Sequence, residues 1–201
     1  NKRILSYDSS GNWRCTSSTF PNNSTHIYAD LEVTPSDSIV VNQSGVTYIY
    51  DTGCSLKSTI TPDPNYYNSV GPHAIDQNNK SYYFDNNTKV LTRFNNASNY
   101  FMQVEKTEAN LTHKSSLGSP YDIEVDGANR LYILSSTTHK IYVYNATTFD
   151  HLCTIGDGYG SRTDKGQLRN ARGFSVLGDK VFVGDTDNSR IVKFLMSSTC
   201  T

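Results

Sequence analysis

Short runs of alternating apolar and polar residues recur along the chain, and the clearest of them is Asn188-Ser-Arg-Ile-Val-Lys-Phe194. Similar runs place their first aliphatic residues at Ile4, Val90, Ile141 and Ile191, and we expect each of these residues to be buried. The last two intervals are 51 and 50 residues. The 86-residue interval after Ile4 is therefore expected to hold one more copy, and Leu56 fits that position. Even spacing of this kind indicates a repeat fold.

Other short strands accompany each copy of this run. All of them are rich in β-branched and aromatic residues and are flanked by Gly, Asn, Asp or Ser, which is typical of strands joined by tight turns. Two strands are predicted before the run and a weaker fourth strand after it, the latter at residues 13–16, 100–104 and 151–155. Four strands in a unit of about 40–50 residues is the size of one propeller blade.

The repeat pattern predicts a single all-β domain over residues 1–201, built as a propeller-like array of about four to five units. A partial unit covers residues 1–20, three full units cover 31–68, 69–109 and 110–155, and the last unit covers 156–201. The last unit is short of its fourth strand, and the N-terminal unit supplies outer strands without inner ones. A chain of 201 residues is long enough to bury one sizeable core.

The last unit resembles an NHL repeat. The resemblance rests on the Gly-rich entry loop that begins at Gly156, the strand Gly173-Phe-Ser-Val176, and the segment Val183-Gly-Asp-Thr-Asp-Asn-Ser-Arg-Ile-Val-Lys-Phe194. It is strongest over residues 156–194, looser at Gly118-Ser-Pro-Tyr-Asp-Ile-Glu-Val125, and weak before residue 69. NHL repeats form β-propellers, usually six-bladed, so the resemblance implies a propeller. The units counted here are too few for six blades.

Composition and cysteine content favour a secreted protein. Charged residues make up 18% of the chain and the net charge is −1, with no basic stripe of the kind that follows nucleic-acid phosphates. No apolar run is long enough to span a membrane, and residues 1–20 lack the apolar core of a signal peptide. An even number of cysteines without a Cys-x-x-Cys pair predicts two disulfides in an oxidising compartment.

The repeat positions favour two of the possible disulfide pairings. Cys15 and Cys153 lie at matching places in fourth strands, and Cys54 and Cys200 each lie one unit onward. These matches favour Cys15–Cys54 together with Cys153–Cys200. A Cys15–Cys200 bridge that ties the two ends into a ring stays open as the alternative.

Eight Asn-x-Ser/Thr sequons, more than chance predicts for this composition, suggest N-linked glycans as further partners of the chain. Several of them fall in predicted turns, where a glycan would be tolerated. The eight acceptor residues are Asn22, Asn23, Asn42, Asn79, Asn86, Asn96, Asn110 and Asn145.

The NHL resemblance suggests one enzymatic hypothesis, because some lyases of this fold hold zinc with histidines that follow the proline of each repeat. His73 follows Pro72, but the matching positions hold Ser36 or Asp37, Tyr121 and Arg172. A catalytic zinc needs about three protein ligands, so we expect no metal, no cofactor and no catalytic site. His73, Tyr121 and Arg172 are instead predicted to lie near the mouth of the channel, as a possible binding site.

The remaining candidate groups favour structural roles. Asp185 and Asp187 are expected to hold a turn through side-chain to backbone hydrogen bonds rather than to bind a cation. Asp157 and Asp164 in the Gly-rich loop could contribute to a calcium site only if five or six oxygens converged there. Most of the 14 tyrosines should pack between blades with the hydroxyl group reaching an edge.

These observations predict a non-catalytic, secreted glycoprotein module that acts as a structural or assembly subunit. Its partner is another copy of the chain or another extracellular protein. Unfilled sheet edges in the terminal units could pair between molecules and produce a head-to-tail filament by strand complementation. Two alternatives stay open: a secreted propeller that binds a glycan or peptide, and an NHL-type metal-dependent lyase.

Overall fold

Small antiparallel sheets make up the protein and give it a four-bladed β-propeller arrangement. A computed structural model describes residues 3–8, 10–17, 29–34, 38–43, 46–60, 71–78, 80–96, 102–196 and 200. The N-terminal hairpin contains β1 (Leu5–Tyr7) and β2 (Trp13–Thr16). Blade 1 contains β3 (Ala29–Val33), β4 (Ile39–Gln43), β5 (Val46–Tyr50) and β6 (Leu56–Ile60).

The next three blades follow in chain order. Blade 2 contains β7 (His73–Ile75), β8 (Lys80–Phe84), β9 (Leu91–Asn96) and β10 (Met102–Glu108). After the short helix α1 (Lys114–Leu117), blade 3 contains β11 (Asp122–Val125), β12 (Arg130–Leu134), β13 (Ile141–Asn145) and β14 (His151–Ile155). Two short strands, β15 (Gly158–Tyr159) and β16 (Gln167–Leu168), pair in parallel, and blade 4 contains β17 (Gly173–Leu177), β18 (Lys180–Asp185) and β19 (Arg190–Leu195).

The first strands of the four blades, β3, β7, β11 and β17, contact one another in that order and form the inner side of the arrangement. The three apolar clusters lie between successive sheets: between the N-terminal hairpin and blade 1, between blades 2 and 3, and between blades 3 and 4. Tyr132 belongs to the last cluster and donates its hydroxyl to Asp126 Oδ2 at 2.8 Å. Tyr82 does the same with Asp76. The prediction that tyrosines pack between blades with the hydroxyl at an edge is confirmed for these residues.

Aspartate side chains close the hairpin turns in a repeated way. The Oδ1 atom of the aspartate accepts hydrogen bonds from the backbone N–H groups two and four residues later, which fixes the turn locally. The same geometry occurs at Asp8, Asp51, Asp76 and Asp126.

In blade 1 the strand positions differ from the prediction. Leu56 was expected to begin the third strand, but residues 56–60 form the fourth strand β6, and the third strand is β5. The inner strand β3 was not among the predicted strands. The alignment is wrong because all four strands share the same β-branched and aromatic composition, and only pairing in the folded sheet distinguishes them.

The outer strand of one sheet is fastened to the next sheet at equivalent positions. The structure pairs Cys15 with Cys54 and Cys153 with Cys200, which are the pairs that the sequence favoured. Each bond joins an outer strand to the segment that follows the third strand of the next blade. Among the described residues no helix is long and apolar enough to cross a lipid bilayer.

Between blades 2 and 3, Lys106 and Phe149 lie at the positions that the bonded cysteines occupy in the two disulfides. In the fourth strands, Cys15, Cys153 and Lys106 each follow a β-bulge at the same register position. Phe149 and Cys54 are equivalent turn residues with positive φ angles of 67° and 60°. Lys106 Nζ lies 5.1 Å from the Phe149 ring centre and donates to the Thr148 carbonyl at 2.6 Å. A cation–π contact therefore stands where two other junctions, from the hairpin to blade 1 and from blade 3 to blade 4, have a disulfide.

This equivalence predicts that a third disulfide can be built. The double variant Lys106→Cys with Phe149→Cys should form a bond between blades 2 and 3, because its cysteines take the positions of Cys15 and Cys54. Intact-mass analysis with thiol labelling should find no free thiol. The matched control is Thr107→Cys with Phe149→Cys, since neighbouring strand residues point to opposite faces. Free thiols in the Lys106 variant, or a bond in the control, would show that the positions are not equivalent.

Candidate functional site

His73 does not lie at an exposed channel mouth. It is buried, and its strand register matches Ile123 and Phe174, which are core residues in the next two blades. Burial lowers the pKa of His73 to about 4, so the side chain is neutral at pH 7. Alignment of the blades on their prolines matches His73 with Tyr121. The strand register instead matches His73 with Ile123, two residues further along the chain.

Tyr121 and Arg172 are brought together by the fold. They occupy equivalent positions on neighbouring blades, Tyr121 immediately before β11 and Arg172 immediately before β17, each two residues before the core position of its strand. The Arg172 guanidinium lies 4.8 Å from the centre of the Tyr121 ring, which is a cation–π distance. The Tyr121 side chain is about one third exposed. This pair, without His73, is what the structure provides at the predicted binding site.

Two carboxylates on the inner strand of blade 3 hold blade 4 in place. Asp122 Oδ2 accepts a hydrogen bond from Phe174 N at 2.9 Å, and Glu124 Oε2 accepts one from Val176 N at 2.9 Å. These N–H groups lie on the inner strand β17, beyond the pairing with β18. Neither residue was predicted to be a site residue from the sequence. The signal that could have found them is the Asp-x-Glu spacing, which puts both side chains on one face of a strand.

Asp185 anchors the Gly-rich loop rather than a cation. Its carboxylate is fully buried and accepts hydrogen bonds from Arg169 N, the Asn188 amide and Arg190 Nε, at 2.6, 2.9 and 2.7 Å. Burial by itself would raise the pKa of Asp185, but these three donors together lower it below the usual value. The sequence predicted that Asp185 holds the turn through backbone hydrogen bonds; its donors within the turn are instead the Asn188 and Arg190 side chains, and its backbone donor, Arg169 N, lies in the segment before blade 4.

Arg190 extends the same network into the loop before blade 4. Its guanidinium donates to the carbonyl oxygens of Arg162, Asp164 and Gln167. Asp164 in turn accepts from the backbone and hydroxyl of Ser161, at 3.0 Å each. The described residues contain no group of three or more His, Cys, Asp or Glu side chains placed to hold a metal ion.

Three of the predicted glycan acceptors have side chains that the structure describes. Asn110 is exposed on the loop after β10, and Asn86 is half-buried in a turn of blade 2. Asn145 Oδ1 accepts hydrogen bonds from Thr147 N and Thr148 N and so closes a turn. Only the backbone is described for Asn42 and Asn96, and Asn22, Asn23 and Asn79 lie outside the described residues. Glycosylation at all eight stays a prediction.

Apolar side chains are exposed on both outermost sheet faces. Ile191 on blade 4 is 72% exposed, whereas Ile141 at the same register position in blade 3 is fully buried under blade 4. The prediction that Ile191 is buried is therefore wrong. On blade 1, the N-terminal hairpin covers this face of β4 and β5 but leaves the inner strand β3 exposed, so Leu31 is 52% exposed, whereas its counterpart Ile123 in blade 3 is fully buried against blade 2. We call these two surfaces the blade 4 end face and the blade 1 end face.

The fold defines the class of protein as a β-propeller. Solved structures of similar fold include a virginiamycin B lyase from Staphylococcus aureus, with 13% sequence identity and a TM-score of 0.56, aligned over 98% of this chain and 64% of that chain. A streptogramin B lyase structure is similar at 14% identity and a TM-score of 0.53, over 98% and 63% of the two chains.

At these identities the similarity shows the fold alone. The chain spans slightly less than two thirds of the length of both lyases. No family model matches the chain, and no match is found among curated proteins.

The Asp185–Arg190 pair generates a prediction about the loop at residues 156–172. Arg190→Ala leaves a buried carboxylate without its ionic partner and should lower the free energy of unfolding by about 3–5 kcal/mol. Amide exchange in the loop should become faster, because three of its carbonyl oxygens lose their donor. The ionised Asp185 stabilises the fold at pH values above its pKa in the unfolded chain, and this stabilisation is lost as pH falls. Arg190→Ala removes one of the groups that lower the pKa of Asp185, so acid unfolding of the variant should begin at higher pH.

Arg169→Ala provides the matched control, because Arg169 and Asp187 form a 4.0 Å ion pair in which both side chains are nearly half exposed. Urea unfolding should show a change within about 0.5 kcal/mol for this variant. Equal losses in the two variants would refute the anchoring role of Arg190.

The burial of His73 predicts a pH dependence of stability. Its pKa is lowered on folding from about 6.5 to about 4, so the unfolded chain takes up a proton first as pH falls. This difference should remove about 3 kcal/mol of stability between pH 7 and pH 4. His73→Leu should have a flatter pH profile than the native protein in urea unfolding. A profile unchanged by His73→Leu would place the residue outside the core.

Proposed function

We propose that the protein is a non-catalytic, extracellular assembly module whose end faces pack against further copies of the chain. The observation that carries this proposal is the exposure of Ile191 and Leu31 at positions that are fully buried wherever a neighbouring blade covers them. Burying one such side chain contributes about 1.5–3 kcal/mol. Each end face is therefore built like the inner side of a blade interface.

Contact between the two end faces of different molecules would use positions that already meet inside the chain. Ile141, which matches Ile191, packs against blade 4 in the interface between blades 3 and 4. Ile123, which matches Leu31, packs against blade 2 in the interface between blades 2 and 3. A contact between unlike faces is heterologous, so it repeats from copy to copy and yields a filament or an open chain of subunits.

Strand complementation would add to this contact. In the described part of the chain, the sheet of blade 4 ends at β19, whose outer edge is a template for another strand. The N-terminal hairpin has two strands and blade 4 has three, one more than a four-stranded blade holds. Completing a blade from the two would require one third-position strand to be displaced. We therefore assign the main stabilisation to packing of the faces and a secondary part to the β19 edge.

The proposed compartment is extracellular. Two disulfides indicate an oxidising environment. We further propose that the protein is secreted, carries N-linked glycans at the sequons and belongs to the NHL family. The glycans would keep an assembly soluble and limit lateral association.

A second candidate function is the binding of a glycan or peptide at the Tyr121–Arg172 pair, where an aromatic ring and a guanidinium lie together at the inner ends of two blades. The lyase alternative is weaker. Its support is the similarity to two structures that are named as lyases, while His73 and Asp185 are both occupied in core and loop contacts of this chain.

The assembly proposal predicts that single charges on the end faces prevent association. Ile191→Asp and Leu31→Asp should each convert large assemblies into monomers, because an unpaired carboxylate would be buried in the contact. Light scattering and electron microscopy, with and without enzymatic deglycosylation, measure the outcome. Each variant should keep the native melting temperature within a few degrees, since the side chains are exposed in the monomer.

Val104→Asp is the control, since Val104 is 37% exposed on the outer strand of blade 2 and lies on neither end face. A native protein that stays monomeric at high concentration would overturn the proposal. Equal disruption by the Val104 variant would move the contact to another surface.

A further inference from the structure

A cleft between blades 2 and 3 has features of a ligand site. It lies beside the loop that joins β10 to β11 and has a volume of about 530 Å³. Small-molecule sites commonly have volumes of about 300–1,000 Å³. The lining combines the apolar side chains of Ala109 and Leu111 with polar groups from Asn110, Lys89, His113 and Lys114.

The charge of this cleft is one-sided. Lys89 Nζ donates to the hydroxyl of Ser119 at 3.1 Å, and Lys114 Nζ donates to the Ala109 carbonyl at 2.8 Å. Both partners are neutral, and no carboxylate belongs to the described lining. The nearby Glu108 accepts from Asn110 N at 2.8 Å. Within the described part of the chain neither ammonium group has an ionic partner, which favours an anionic ligand.

The walls of the cleft are held in place by contacts with blade 3. Tyr144 donates its hydroxyl to the Thr112 carbonyl at 2.7 Å, and Ser135 donates to the Ser116 carbonyl at 2.6 Å. The His113 ring packs against Tyr142 and His151, with ring centres 5.1 and 4.5 Å away. A ligand therefore does not have to order this loop, which reduces the entropic cost of binding.

We propose that this cleft binds an acidic sugar, with a uronic-acid carboxylate held by Lys89 and Lys114. The exposed side chain of Ala109 would contact the sugar ring above the buried Leu111, and the Asn110 amide and Ser115 hydroxyl supply neutral hydrogen-bonding groups. This inference goes beyond the assembly function and does not depend on it. The partner is an acidic polysaccharide, of which the cleft holds one sugar unit.

Titration with D-glucuronate, D-glucose and acetate tests the proposal. The protein should carry Thr112→Ala, which removes the sequon at Asn110 without changing a side chain of the lining, so that no glycan covers the cleft; binding should be followed by calorimetry and by the NMR signals of the His113 ring. Glucuronate should bind, while glucose and acetate should bind at least about tenfold more weakly, since each supplies only one of the two recognised parts.

The variant Lys89→Gln with Lys114→Gln should weaken glucuronate binding about tenfold or more, because charge-assisted hydrogen bonds to the carboxylate are lost. Its control, Lys57→Gln with Lys165→Gln, removes the same charge at two exposed positions away from the cleft and should leave binding unchanged. If the double variant fails to fold, Lys89→Gln and Lys114→Gln are tested separately. Each should weaken glucuronate binding by a smaller factor than the double variant.

Two results would overturn the proposal. Absence of glucuronate binding by a natively folded protein would remove the site altogether. Acetate binding as tight as glucuronate, or equal losses in the Lys57–Lys165 control, would reduce the effect to general attraction of anions. Neither result bears on assembly, which light scattering measures separately on the same samples.

Discussion

Burial of apolar side chains between successive sheets is the interaction on which the rest of this structure depends. Each sheet is thin and has apolar residues on both faces, so it is stable only when a neighbour covers each face. Inside the arrangement this requirement is met, and Ile123, Ile141 and Tyr132 have no exposed surface. On the blade 4 end face and along the inner strand of blade 1 it is not met, and Ile191 and Leu31 are largely exposed there. The exposed faces and the stable core thus follow from one rule applied at different places in the repeat.

Contacts at the inner and outer ends of the blades keep the sheets in register. At the inner side, Asp122 and Glu124 bind backbone N–H groups of β17. At the outer side, the disulfides and the Lys106–Phe149 contact join β2, β10 and β14 to the following blade. Apolar packing is not directional, so these polar and covalent contacts supply the alignment that burial alone does not specify.

Much of the fold could be predicted from the sequence because the repeat places similar residues at similar positions. The strand-rich pattern, the NHL-like turn at Asp185 and the pairing of Cys153 with Cys200 all follow from comparing one unit with the next. The same comparison fails in blade 1, where Leu56 begins the fourth strand rather than the third. It also fails at His73, because alignment on prolines does not give the strand register. Local composition is shared by all strands, whereas register depends on partners distant in the sequence.

The sequence by itself determined the architecture, since the periodic strands, turn-forming aspartates and cysteine positions are local properties that repeat in the chain. Tertiary structure decided what each position does. It buried His73 and Asp185, joined Tyr121 to Arg172, exposed Ile191 while it buried Ile141, and formed the basic cleft from two separate turns. The physical reason is that burial and charge environment depend on which sheet lies opposite a residue. Equivalent residues in the sequence can therefore have neighbours that differ completely.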